Sequence, residues 1–163
     1  MCYIIFMEMK SSFSFKGKYR ISAYKNGLLL RMTDWITNTV VMNNLNGLNI
    51  VLRRLAGESS IDLEIASASI GTGTTATTVN DTAMETAVVS NIAPARLQYS
   101  TSTVVAEFYI TNTELADGTY SEFGVFINPG NEKMFAHSLI TPNHTKSTGE
   151  DTLIEYTIEA TSI

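Results

Sequence analysis

The chain has little of what small proteins use as staples or as reactive groups. Its 163 residues include one cysteine, three prolines, one tryptophan and two histidines. The single Cys2 excludes an intrachain disulfide and a cysteine-built zinc cage. Charged residues make up 17%, below the usual quarter. The net charge of −5 argues against a nucleic-acid footprint, which is usually basic. The imbalance is local: from Arg96 onward there are three Lys/Arg against nine Asp/Glu, and before it eight against seven. No apolar run approaches the roughly 20 residues of a membrane span. Tyr3-Ile4-Ile5-Phe6-Met7 is too short for a signal-peptide core, and it lacks a preceding basic residue and a small-residue cleavage site. These absences predict no membrane and no nucleic-acid partner, and synthesis in a cytoplasm.

What is present is threonine (21 residues), serine (15) and asparagine (12), on a background that is 44% hydrophobic. A chain of this length buries roughly 70% of its unfolded surface and needs no staples. Threonine is β-branched and suits a pleated, half-wet face. Period-two alternation recurs along the chain: Tyr19, Ile21 and Ala23; Val104, Ala106, Phe108 and Ile110; Phe123, Val125 and Ile127; Ile154, Tyr156, Ile158 and Ala160. Asn26-Gly27 predicts a tight hairpin turn before Leu28-Leu29-Leu30, and Asn128-Pro129-Gly130-Asn131 and Asp117-Gly118 predict two more turns. Ile61, Leu63 and Ile65 alternate as a strand, but the apolar phase slips at Ala66, so a bulge or chain break is expected near Ile65–Ala66. Trp35 reads as a core anchor or lid.

One helix is expected, at about 43–56. Leu45, Leu48, Val51, Leu52 and Leu55 form a stripe at helical spacing, Asn43 or Asn44 can cap it, and Gly57 suits its end. The predicted packing face is Leu48, Val51, Leu52 and Leu55. The fold class is therefore mainly β: an antiparallel β-sandwich or jelly-roll-like domain with one short α-helix. Residues 17–163 read as that single domain and residues 1–16 as an N-terminal arm. The arm's Tyr3, Ile4, Ile5 and Phe6 are candidate interface residues. One reading makes the arm an edge strand or tail, the other a sticky segment that orders on a neighbouring chain.

Recognisable catalytic chemistry is missing. Gly71-x-Gly73-x-x-Ala76 matches a relaxed dinucleotide fingerprint, but β-branched residues follow where a helix N-terminus is needed, so a plain Thr/Gly loop over 71–82 is expected. His137 and His144 stand in no triad or zinc-protease spacing and read as surface or core-edge imidazoles. Asp81 and Glu85 have a weak calcium reading, as oxygen ligands four residues apart. Glu114 with Asp117, and Glu150 with Asp151, read as solvated turn acids. No catalytic residue, cofactor or required metal is expected. In Thr119–Phe126, Gly124 sits between bulky residues and predicts a bulge or a close backbone approach.

Three stretches together carry a resemblance. They are Ile21-Ser22-Ala23-Tyr24-Lys25-Asn26-Gly27 leading to Trp35 and Asn38; Ile70-Gly71-Thr72-Gly73-Thr74-Thr75 with Asp81-Thr82-Ala83-Met84-Glu85; and Tyr120-Ser121-Glu122-Phe123-Gly124-Val125-Phe126 with Met134-Phe135-Ala136-His137-Ser138-Leu139-Ile140. Their order, over about residues 18–160, resembles a loosely defined group of tailed-bacteriophage structural proteins of tail-fibre and baseplate-associated type. The group's pattern often has a basic residue where His137 stands and usually lacks the arm. The resemblance implies a non-enzymatic virion component in a tail, fibre-attachment or decoration role. Such a part would be a homo-oligomer packed against other virion proteins and localised to the virion. The alternative is a carbohydrate- or host-surface-binding module, with Tyr99, Tyr109 and Tyr120 as candidate glycan contacts.

Overall fold

A computed structural model describes residues 13–43 and 45–162. Ten strands and one helix run in the order β1 (Phe13–Lys25), β2 (Leu28–Met32), β3 (Ile36–Val40), α1 (Leu48–Leu55), β4 (Ile65–Gly71), β5 (Ala87–Ile92), β6 (Arg96–Ser100), β7 (Thr103–Ile110), β8 (Gly118–Ile127), β9 (Lys133–Lys146) and β10 (Asp151–Ser162). All pairings are antiparallel, in the order β5-β4-β8-β9-β3-β1-β10-β7-β6, with β2 also on β1. β3 joins the two halves: Ile36–Asn38 pairs with β1, and Thr39 and Val40 pair with β9. The fold is mainly β and sandwich-like, as the sequence predicts.

The core lies between the halves because the period-two faces point there. Tyr19, Ile21, Phe108, Ile154 and Tyr156 from the β1–β10–β7 side meet Phe123, Val125, Ile70 and Ala68 from the β8–β4 side, all buried. Phe123 sits at the centre, with ring centroids 4.7 Å from Tyr19, 6.4 Å from Phe108 and 6.3 Å from Tyr156. The two buried tyrosines keep partners for their hydroxyls: Tyr19 donates to the Leu139 carbonyl at 3.1 Å, and Tyr156 accepts from Asn38 at 3.2 Å. Burial raises the pKa of both phenols.

The predicted hairpin turn is at Asn26-Gly27, both at positive φ (52° and 76°), and the Asn128–Asn131 turn joins β8 to β9. The expected irregularity near Ile65–Ala66 is there too, as a register shift against β8 between Ile65 and Ser67.

Five expectations need correction. Residues 13–16 are not arm but the start of β1, paired with Glu159–Ser162 of β10. The helix has eight residues, since residues 43 and 45–47 lie in a bend and turn before it, where Asn43 accepts from the Leu45 N–H and the Asn46 amide. Its buried residue is Ile50, with Leu48 and Val51 half-buried; Leu52 and Leu55 are 46% and 72% exposed. The stripe of four leucines and one valine overruns the helix, and of its predicted packing face Leu48 and Val51 turn inward, Val51 against the core, while Leu52 and Leu55 turn out. Ile61 and Leu63 lie in the connection before β4, not in a strand. Asp117-Gly118 closes no hairpin, because 111–117 crosses from β7 in one half to β8 in the other, with Leu115 buried as its plug. Trp35 is 40% exposed and packs by cation–π contact with Lys18 (4.9 Å) and Arg20 (4.7 Å) instead of in the core.

Candidate functional site

On the outer face of the β9–β8–β4 layer, alternation places Ser69, Gly71, Glu122, Gly124 and His137 side by side, opposite the faces of Ile70, Phe123 and Val125. This face is buried because the 72–86 loop lies across it. The loop can approach closely only over small residues. A Cβ on Gly73 would stand 2.5 Å from a Glu122 carboxylate oxygen, one on Gly71 would collide with the Thr86 carbonyl, and one on Gly124 would press on Met84 at 3.1 Å. The glycines of the fingerprint-like stretch thus make room for a carboxylate of the chain itself.

Glu122 is the hub of the latch. One carboxylate oxygen accepts from the Gly73 (3.2 Å) and Thr86 (3.1 Å) N–H groups, the other from the Glu85 N–H (2.5 Å) and His137 Nε2 (2.8 Å). The four acceptor positions of the carboxylate are all used. His137 Nδ1 meets Asp81 Oδ2 at 2.6 Å. Glu122 and His137 are 1% and 5% exposed, and Asp81 is partly covered. Each ring nitrogen thus faces a carboxylate oxygen at hydrogen-bond distance. Burial pushes the Asp81 carboxyl up, but donors from Thr78 and the adjacent His137 outweigh it and hold it below the usual carboxylate value. Glu85 accepts from the Thr75 and Thr74 N–H groups, which lower its pKa. Further ties bind the loop to the β3–α1 connection: the Met42 N–H donates to the Val79 carbonyl, and the Asn43 amide donates to the Asn80 and Asp81 carbonyls.

The Asp81–His137–Glu122 row resembles a triad in composition, but neither ring nitrogen is left to take a proton from a hydroxyl. Asp81 and Glu85 do not converge, since each is spent on loop donors. Among the described residues no group of three or more His, Cys, Asp or Glu is arranged to hold a metal ion. Both histidines are buried, so of the two expectations, surface or core edge, the surface one is excluded. His144 Nε2 lies 3.1 Å from Thr152 Oγ1, and burial, with the Arg31 charge, lowers its pKa to about 4 against a smaller pull from Glu150. The turn acids are also more than solvated. Glu150 pairs with Arg31, Asp117 accepts from buried Lys146 at 2.8 Å, Asp151 accepts from the Asn112 N–H, and Glu114 from the Thr111 N–H.

The candidate glycan tyrosines do not form one platform. Tyr120 is buried, and its hydroxyl donates to the Ala116 carbonyl. Tyr99 stands opposite Val104, five residues from Tyr109 along β7, so the two lie on opposite faces of that layer.

Two apolar features remain. Large apolar side chains face outward on β2 (Leu28 71%, Leu29 51%, Leu30 49%, Met32 51%) and on and beside α1 (Leu45, Leu52, Leu55). A cleft of about 460 Å³ opens between the halves, lined by Phe15, Leu97, Val104, Ile158, Ile127 and Phe135, with Val51 of α1 at its side. The arm residues Tyr3, Ile4, Ile5 and Phe6 lie outside the described residues.

No protein-family model, curated protein or solved structure matches the chain. Among the described residues no helix is long and apolar enough to cross a membrane. What the fold and site define is a β-sandwich-like chain whose polar outer sheet face is latched under the 72–86 loop and whose rim is apolar.

No local sequence pattern reveals the latch, because Asp81 and His137 are 56 residues apart. The available signal is Glu122, a lone charge beside the otherwise apolar Phe123–Val125 strand.

Proposed function

We propose that the chain is a non-enzymatic structural subunit that packs against copies of itself and neighbouring proteins of a tailed-bacteriophage virion. The observation that carries the reading is the outward apolar surface. Leu28, Leu29, Leu30 and Met32 are consecutive or near neighbours on a short edge strand, and all are about half exposed or more. Edge strands of monomers usually carry charge or proline to prevent pairing, whereas β2 has Arg31 alone, and that side chain is turned to Glu150. Surfaces of this kind serve contacts with other chains. The resemblance of the three motif stretches supports the virion setting, and the saturated Glu122–His137 latch supports a role without chemistry at that face. The glycan-module alternative loses its aromatic platform with the burial of Tyr120.

The test is mass spectrometry of gradient-purified particles from a lysate that produces the chain. The protein should co-sediment with particles in a fixed ratio to the other virion proteins. Its recovery only in the unassembled fraction would overturn the reading.

A further inference from the structure

Resting on the self-association just proposed, we infer that the apolar cleft between the two halves receives the arm of a second copy, with Tyr3, Ile4, Ile5 and Phe6 as the inserted side chains. The cleft volume, about 460 Å³, falls in the range of roughly 300–1,000 Å³ typical of sites that bury a ligand. Its walls come from both halves, with Phe15 and Ile158 on one side, Leu97 and Val104 beside them, and Ile127 and Phe135 opposite. The arm supplies the matching chemistry, because Tyr3-Ile4-Ile5-Phe6-Met7 is the apolar run that precedes β1.

Geometry favours a neighbour's cleft over the chain's own. β1 begins at Phe13, and Phe15, two residues further in, already lines the cleft. To reach its own cleft the chain must reverse direction within Met7–Ser12. That stretch, Met-Glu-Met-Lys-Ser-Ser, contains no Gly, Pro, Asn or Asp, and of the turn-favouring residues only the weaker Ser11 and Ser12. Running on without reversal, the same six residues span up to about 20 Å, enough to leave the domain and enter an adjacent subunit. Four consecutive apolar residues in an extended strand point to both sides, and a cleft with two walls covers both, where one sheet face covers half.

Cys2 is the chain's one cysteine and lies beside Tyr3, so it reports where the arm goes. Tyr99, an exposed cleft-lining residue opposite Val104, is the complementary position. In Tyr99→Cys, mild oxidation should give a disulfide-linked species of two or more chains on a non-reducing gel. Peptide mapping should identify it as Cys2 joined to the introduced thiol, because such bonds need Cα atoms about 4.4–6.8 Å apart. The band should vanish when Cys2→Ser is added. Leu97→Glu, which puts a charge on a partly exposed wall position, should also abolish it while leaving the circular dichroism spectrum unchanged. A link between Cys2 and the introduced thiol of the same chain, at monomer mass, would overturn the inference and leave the structural-subunit reading intact, as would an oligomer that forms no Cys2 link. A full-length chain that stays monomeric at every concentration would overturn both.

Discussion

The outer face of the β9–β8–β4 layer and the rim formed by β2, α1 and β6 are built by opposite rules. On the first, the charged groups have internal partners: four donors converge on Glu122, and the loop above it is tied down at Thr74, Thr75, Thr78 and Asp81. On the second, leucines stand in water. Leu28 and Leu55 are more than 70% exposed, whereas Phe123 and Glu122 are each 1% exposed. A charge can be sequestered if its hydrogen bonds are complete, and an apolar side chain can be left outside if another chain covers it. The contrast separates what holds the domain together from the surface proposed to meet other chains.

The sharpest way to break the comparison is to exchange the two kinds of position. Phe123→Ala, at the meeting point of three aromatic rings, should lower unfolding stability by about 3–5 kcal/mol in urea titration. A loss under about 1 kcal/mol would mean that the core is not centred there. His137→Leu should cost a similar amount, about 3–5 kcal/mol, because it removes the hydrogen-bond partner that both the Glu122 and the Asp81 carboxylates meet and leaves buried charge uncompensated. Hydrogen exchange should show the amides of Gly73, Glu85 and Thr86 losing protection together. Unchanged protection would disprove the latch.

A smaller effect is expected from pH. His144 is held at about 4 when folded, against 6.5 unfolded. Its contribution is complete above pH 6.5. As pH falls from 6.5 to about 4, the unfolded chain takes up a proton that the folded chain refuses, and stability drops by up to about 3 kcal/mol at about 1.4 kcal/mol per pH unit. His144→Gln should flatten this window. Glu150, whose bonds to Arg31 hold it at about 2 against the opposing effect of burial, loses its contribution only below its unfolded value of 4.5, so the two are separable. A wild-type curve flat from pH 6.5 to 4.5 would refute the His144 assignment. The smallest effect belongs to the rim: Leu52→Ala should change stability by no more than about 0.5 kcal/mol, since its side chain already meets water. A loss of about 2 kcal/mol or more, as a buried leucine gives, would show that α1 packs through that face after all.

The strands are legible in the sequence because one face of each is apolar and alternation survives in β7, β8 and β10 without knowledge of the partner strand. Gly124 is legible too, as a close approach, although not what approaches it. The helix misleads because a leucine stripe records hydrophobicity and not direction: Leu52 and Leu55 belong to the outward face, while Ile50, off the stripe, is the buried contact. Trp35 misleads for a related reason, since cations such as Lys18 and Arg20 can pack against an aromatic ring at the surface as readily as a core does within. The latch is not legible at all. Asp81 meets His137 because the 72–86 loop folds back over the sheet, a consequence of topology that no local pattern encodes.

The central claim is that the apolar rim exists to be covered by other copies of the chain, and sedimentation velocity over a wide concentration range tests it most directly. The full-length protein should sediment as a closed oligomer, and Leu28→Ser combined with Leu30→Ser should shift it toward monomer without changing its circular dichroism spectrum or unfolding midpoint. A full-length chain that remains monomeric, or an oligomer indifferent to both substitutions, would contradict the account.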